Sequence, residues 1–108
     1  MNINLQTTIL RNLLTNEEYT RKVMPFLAPD YFEGVYKELF KEVTKFVAKY
    51  NKLPSMEAFK IEVDDAGRLS DGDYSQAMEM LPTIFTYEKE NLEWLCDTTE
   101  KWCQDRAV

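Results

Sequence analysis

A single helical pattern near the middle of the chain constrains the fold more than any other feature. Between positions 32 and 50, apolar side chains recur in steps of four, three, four, three and four residues: Phe32, Tyr36, Leu39, Val43, Phe46 and Tyr50. Three more apolar residues widen this stripe: Val35, Phe40 and Val47. Such spacing marks an α-helix that buries one broad face. We therefore predict a long central helix from about Asp30 to Tyr50, packed on two neighbours and capped by Asp30 with Glu33.

Two shorter helices are predicted before the central one. The first ends near Asn16, and Thr15 with Glu18 has the spacing of a capping box that opens the second. Pro25 and Pro29 bracket the end of the second helix because neither can donate into a continuing ladder. The side chains expected to face inward are Ile3 or Leu5, Ile9, Leu10, Leu13, Leu14, Tyr19, Val23 and Phe26.

Helical patterns also follow the central helix, and no segment alternates apolar and polar residues long enough to predict a strand. Ser55 and Ser70 are predicted to cap two helices, and Pro82 to bend or end the second. A last helix is predicted from about Tyr87, still unfinished at Val108 and leading toward a linker. The side chains expected to face inward are Met56, Phe59, Val63, Ala77, Met78, Leu81, Leu92, Leu95, Cys96, Thr99, Trp102 and Cys103. The sequence thus predicts an all-α fold, a single domain over 1–108 with about five to six helices.

The charge of the chain favours a protein partner over nucleic acid. Its 108 residues include 13 basic and 19 acidic side chains and no histidine, for a net charge of −6. Residues 1–54 carry eight basic and six acidic groups, and residues 55–108 carry five and thirteen, so the halves have net charges of +2 and −8. An acidic protein repels a phosphate backbone, so any DNA contact needs a local basic patch.

Composition also excludes several functional classes. The three glycines, Gly34, Gly67 and Gly72, cannot form a glycine-rich phosphate loop. Without histidine, serine or cysteine nucleophiles have no usual base. We predict no catalytic, cofactor-binding or metal-binding residue. Apolar runs are too short to span a membrane, and the N-terminus lacks the features of a signal peptide, so a cytoplasmic protein is expected.

Two features could suggest a metal, and neither has the required pattern. Cys96 and Cys103 are seven residues apart on a predicted helix, too far for a disulfide, and a zinc site there would lack its usual partners. The acidic segment from Asp64 to Asp73, aligned on Gly67 as a calcium loop, has no glutamate at its last ligand position. Two buried thiols and a solvated acidic turn are the expected interpretations.

A row of lysines is the most ordered polar feature. Lys37, Lys41, Lys45 and Lys49 recur every four residues along the central helix. The row has two possible interpretations. It could bind phosphates or the acidic surface of a partner, or it could be a solvated face whose charge is offset by nearby glutamates: Glu33, Glu38 and Glu42. The four lysines, together with Trp102 on the last helix, are the candidate interaction residues.

The segment Asp30–Phe40, followed by the turn Leu53–Ser55 that opens a short helix, resembles the N-terminal domain of replicative DNA helicases of the DnaB type. The resemblance is closer to the replicative helicase of T-even-like bacteriophages and covers essentially the whole chain. The supporting stretches are Asn16–Tyr19, Val23–Phe26, Asp30–Phe32, Glu93–Leu95, Thr99–Trp102 and Gln104–Ala107.

The resemblance implies an all-helical head that helps to build a collar on a hexameric ring and meets primase and helicase-loader proteins. It implies that ATP hydrolysis, with magnesium, and movement along single-stranded DNA belong to a following RecA-like domain, which this chain lacks. It transfers no catalytic residue onto this chain. Only the beginning of the family's dimerising hairpin, around Thr99 to Val108, is present, so the chain is expected to be monomeric or weakly dimeric.

The leading hypothesis is therefore a protein-interaction and assembly domain of a phage replicative helicase, with other helicase subunits, primase and loader as partners. DNA contact by this domain is expected to be weak or indirect, and no membrane contact is expected. Two alternatives remain: a free-standing small helical adaptor or regulator, and a nucleic-acid-binding module that uses the lysine row.

Overall fold

The computed structural model describes residues 4–86 and 88–107, so the predictions for Ile3, Tyr87 and Val108 lie outside the described residues. The described chain is all-α, as predicted, without a strand. Its helices are α1 (Leu5–Thr15), α2 (Glu17–Val23), α3 (Gly34–Tyr50), α4 (Met56–Ala66), α5 (Asp71–Ile84) and α6 (Leu92–Arg106). Two short 3₁₀-helices, Met24–Phe26 and Pro29–Tyr31, connect α2 to α3. No helix in these ranges is long and apolar enough to cross a bilayer.

Helix α3 is the centre of the fold, which confirms the prediction of a long central helix. It packs against α1, α4 and α5, while α6 packs against α2. Its first half is buried, with Val35, Leu39 and Phe40 at 5% exposure or less. Burial is lower near its end, where Phe46 is only half-buried and Tyr50 is 48% exposed. The predicted inward stripe is wrong for these two positions.

The predicted start of α3 is also wrong. Asp30 lies in the 3₁₀-helix Pro29–Tyr31, and α3 begins four residues later at Gly34. Gly34 has a φ of +54°, a left-handed conformation that glycine adopts without steric cost and that breaks the helical ladder. Glu33 precedes it in an extended conformation and makes no capping bond through its side chain. The Asp30 carboxylate instead pairs with Lys37 at 3.2 Å.

The cap between α1 and α2 is Asn16, not Thr15. Asn16 is extended, with a φ of −127°, and its side chain accepts a hydrogen bond from the Tyr19 backbone N–H at 3.1 Å. Its own backbone N–H donates to the Asn12 carbonyl at 2.9 Å, so one residue ends α1 and begins α2. Thr15 is still helical, and its hydroxyl donates to the Arg11 carbonyl at 2.7 Å. The predicted capping box is therefore wrong: the cap lies one residue later, and the third helical residue from it is Tyr19, which has no carboxylate to complete the box.

The caps of α4 and α5 are confirmed. The Ser55 hydroxyl accepts from the Ala58 backbone N–H at 3.1 Å, and the Ser70 hydroxyl accepts from the Asp73 backbone N–H at 3.2 Å. Because α4 continues to Ala66 and α5 starts at Asp71, the turn is only residues 67–70 and contains no acidic side chain, so the predicted acidic turn is wrong and its aspartates lie in the two helices. Helix α5 continues two residues past Pro82.

Helix α6 differs from the prediction at both ends. It starts at Leu92, because the Asn91 side chain accepts from the Trp94 backbone N–H at 2.9 Å and caps the helix there. It ends at Arg106, and Ala107 is extended, so the helix does not run to the end of the described chain. Its inward face agrees with the prediction, and the residues buried on it are Leu95, Thr99, Trp102 and Cys103.

Phe26 is another correction, because its side chain is 60% exposed rather than inward-facing. The α-helical spacing from Val23 ends where Met24–Phe26 tightens into a 3₁₀ turn. A 3₁₀-helix has three residues per turn, so the side chain that α-helical spacing would turn inward points elsewhere.

Candidate functional site

The lysine row lies along α3, but its members have different environments. Lys37 pairs with Asp30 at 3.2 Å, and Lys41 pairs with Glu38 at 3.4 Å. Both lysine side chains are only 36–37% exposed. The first two members therefore have carboxylate partners on their own chain.

The last two lysines of the row, Lys45 and Lys49, are exposed. The Lys49 ammonium lies 5.2 Å from the centre of the Tyr50 ring. Lys45 forms no ion pair with another described residue. The most available charge of the row is thus at Lys45, and the interaction role of all four lysines stays a prediction.

Trp102, the remaining candidate, is a core residue with 8% of its surface exposed. Its ring centre lies 5.0 Å from that of Phe32 and meets the Tyr31 ring edge-on at 6.2 Å. The Arg106 guanidinium covers it at 4.6 Å. These contacts attach the segment before α3 to the end of α6. The interaction role of Trp102 stays a prediction, and little of its surface is available to a partner.

The sequence did not predict one ion pair, which is formed by a buried carboxylate. Glu42 was expected on a solvated face, yet it is 4% exposed, and its Oε1 lies 3.1 Å from an Arg68 guanidinium nitrogen. Helical spacing from Val35 and Leu39 places position 42 on the buried face, which is the signal that could have identified it. The contact joins α3 to the turn after α4, and half-exposed Arg68 extends from it toward the surface.

Two surface hollows lie between α3 and the segment at the end of α2, and Met24 lines both of them. The first has a volume of about 420 Å³ and its apolar lining residues are Met24, Pro25, Val47 and Leu53. The second has a volume of about 490 Å³ and its apolar lining residues are Met24, Leu27, Pro29 and Phe40. Because both hollows border Met24, we treat them as one feature, the basic-rimmed groove.

Cations dominate the polar edge of the basic-rimmed groove. Arg21 and Lys52 border the first hollow, and Lys41, Lys45 and Arg68 border the second. Among the described lining residues the one carboxylate is that of Glu17, and it is held by Arg21 at 2.6 Å. Since Lys41 and Arg68 also have carboxylate partners on α3, the uncompensated positive charge of the groove lies at Lys45 and Lys52. The two middle members of the lysine row belong to this edge.

The two cysteines lie on the inner side of α6 with free thiols. Burial raises the pKa of the Cys96 and Cys103 thiols, so both favour the neutral form. Across residues 4–86 and 88–107, no three His, Cys, Asp or Glu side chains come close enough to hold a metal ion. The expected lack of metal, cofactor and catalytic residues in the chain stays a prediction.

Comparison with known proteins identifies a relative over nearly the whole chain. No protein-family model matches the sequence. The chain is 30% identical over 101 residues to the DnaB-like replicative helicase of Enterobacteria phage T4. This alignment includes 93% of the chain and 21% of the relative, so the chain spans about a fifth of that helicase's length. The expected resemblance to a DnaB-type replicative helicase of a T-even-like phage is therefore confirmed.

Proposed function

We propose that this chain is a protein-interaction and assembly domain of a phage replicative DNA helicase. The observation that carries the proposal is the alignment of 93% of the chain with only 21% of a DnaB-like replicative helicase. A segment of that size can form one domain of a larger protein assembly. In this proposal it forms part of the collar of a hexameric ring and acts in the cytoplasm of the bacterial host.

The proposed partners are other helicase subunits, primase and the helicase loader. ATP hydrolysis and DNA unwinding belong to another domain of the parent protein, where ATP and magnesium bind. The surface chemistry supports a protein partner over DNA, because the net charge of −6 repels phosphates and the available cations surround an apolar groove. DNA contact by this domain is accordingly weak or indirect.

A competition experiment tests the proposal. Primer synthesis is reconstituted from the full-length helicase, the primase and the loader of the same phage, and the 108-residue chain is added in increasing excess. We expect primer synthesis to fall, because the free chain occupies partner surfaces that the intact helicase needs. An unrelated acidic helical domain of similar size is the control. Equal primer yields with the chain and with this control would overturn the proposal.

A further inference from the structure

We propose that the basic-rimmed groove binds an acidic amphipathic helix of a partner protein. This inference rests on the proposed function, since it assigns a surface and a class of ligand to the protein-interaction role. It depends on three observations: the dimensions of the groove, its apolar floor and the charges at its edge.

The dimensions fit a short helix. The lining residues that belong to α3 and its C-cap run from Phe40 to Asn51, and eleven steps of 1.5 Å make a track of roughly 16 Å, or three helical turns. An amphipathic helix of this length presents anchors at positions i, i+3 or i+4, and i+7. Hollows of about 420 and 490 Å³, both lined by Met24, give these anchors two places to insert.

The floor favours aliphatic anchors. Met24, Leu27, Val47 and Leu53 are all half-buried, so each still presents apolar surface to solvent. Methionine has a flexible thioether that adapts to different side chains, and Met24 lines both hollows. The one aromatic residue of the described lining, Phe40, is 2% exposed. Single-stranded DNA binds on exposed aromatic platforms, which this floor does not offer.

The edge favours carboxylates. Lys45 borders one hollow and Lys52 the other, and neither forms an ion pair with another described residue. Glu17 is neutralised by Arg21, so it offers little repulsion to an acidic ligand. Complementary charge accelerates encounter and selects orientation, while the apolar floor supplies binding energy. The rest of this acidic chain repels an acidic helix, which confines binding to the groove.

Fluorescence anisotropy with labelled synthetic peptides tests the proposal. The probe is a helix of about 14 residues with leucine at the anchor positions and glutamate elsewhere, and the comparison peptide carries glutamine in place of glutamate. We expect saturable binding of the glutamate peptide and at least about tenfold weaker binding of the glutamine peptide. The double variant Lys45→Glu/Lys52→Glu should weaken binding of the glutamate peptide by a similar factor.

Matched variants distinguish binding in the groove from non-specific electrostatic attraction. Lys101→Glu on α6 makes the same kind of charge change at an exposed site away from the groove, and it should leave binding unchanged. Val47→Asp should weaken both peptides, because it places a charge on the apolar floor. Thermal unfolding by circular dichroism identifies any variant that fails to fold. If Val47→Asp does not fold, the surface variants at Lys45 and Lys52 decide the test.

Three results would overturn the proposal. The first is equal loss of binding in Lys101→Glu and in the double lysine variant. The second is that an oligothymidylate of about 20 nucleotides binds more tightly than the acidic peptide and loses this binding in the double variant. That result would assign the groove to DNA. The third is self-association, measured by light scattering, that the double variant abolishes. That result would assign the groove to a second copy of this chain. If the peptide fails while primase or loader still binds, the groove assignment falls and the proposed function stands.

Discussion

The Tyr19 hydroxyl lies 2.7 Å from the Thr99 hydroxyl, and this hydrogen bond joins two residues that are 80 positions apart in the sequence. Both side chains are buried, with 0% and 1% of their surface exposed. The bond connects α2, the second helix, to α6, the last one, and these two helices pack together. Its loss is therefore expected to weaken the attachment of α6 to α2.

A double-mutant cycle measures this contact. Tyr19→Phe leaves the buried Thr99 hydroxyl without its partner, which should lower the free energy of unfolding by about 1–3 kcal/mol. Thr99→Val should have a similar cost, since it leaves the Tyr19 hydroxyl unpaired. The double variant removes both polar groups and should cost less than the sum of the two, in urea denaturation. Strict additivity would show that the two hydroxyls do not interact.

The same contact predicts a loss of stability in alkali. Burial raises the pKa of Tyr19 well above its ordinary value; the hydrogen bond with Thr99 offsets part of the rise, and the nearby Cys96 and Cys103 add to it. The unfolded tyrosine releases its proton at pH ~10, before the folded one does. Its contribution to stability is therefore complete below that pH and declines as the pH rises toward the folded pKa.

Urea midpoints measured from neutral pH to pH ~11 check this behaviour. We expect the midpoint to fall above pH ~10 and the fall to be shallower in Tyr19→Phe, which has no phenol to titrate. Tyr50→Phe, which changes a residue that is 48% exposed, is the matched control and should follow the wild type. Identical curves for Tyr19→Phe and the wild type would contradict the assignment. Cys96 and Cys103, whose pKa values burial also raises, contribute a decline in the same direction in both proteins.

Helical periodicity predicted the helices and the centre of the fold, but it located their ends poorly. The stripe through Leu39 and Val43 identified α3 because a buried face repeats over several turns. The ends depend on single hydrogen bonds: Asn16 and Thr15 are both acceptable caps, and only the conformation of the chain selects Asn16. The start of α3 likewise depends on the positive φ of Gly34, which the amino-acid sequence alone does not reveal.

Two phenylalanines on α3 test the observed orientation of that helix. Phe40 is 2% exposed and stacks on Phe32, with ring centres 4.6 Å apart. Phe40→Ala should lower the free energy of unfolding by ~3–5 kcal/mol, because it removes a fully packed ring. Phe46→Ala should cost clearly less, since Phe46 is half-buried and contacts Tyr50 near the end of the helix. Chemical denaturation of the two variants checks the order, and the reverse order would show that the helix is rotated.

The chain is also expected not to bind or hydrolyse ATP. Gly67 and Gly72 have the five-residue spacing of a phosphate loop, but Asp73 and Tyr74 follow them where the loop requires a lysine and a serine or threonine. Calorimetric titration with ATP and magnesium, together with a phosphate-release assay, measures both properties. Micromolar binding of ATP would contradict the account, because it would place nucleotide chemistry in this domain.

The groove was beyond the reach of sequence reasoning, although part of its edge was not. The fourfold spacing of the lysines singled out Lys41 and Lys45. The floor combines Met24 from a 3₁₀ turn with Val47 from α3 and Leu53 from the following loop, and only tertiary packing brings these residues together. The exposure of Phe26 has the same origin, since it follows from the 3₁₀ turn that Pro25 occupies.

The central claim, that this chain is a protein-interaction domain of a phage replicative helicase, is tested most directly by titration with its proposed partners. Purified primase and loader from the same phage are titrated separately into the 108-residue chain, with an unrelated acidic helical domain as control. The account predicts saturable binding to at least one of them, with a dissociation constant in the micromolar range, about −8 kcal/mol or weaker for a single domain. No binding to either protein at concentrations up to ~100 μM, with the chain folded, would contradict the claim.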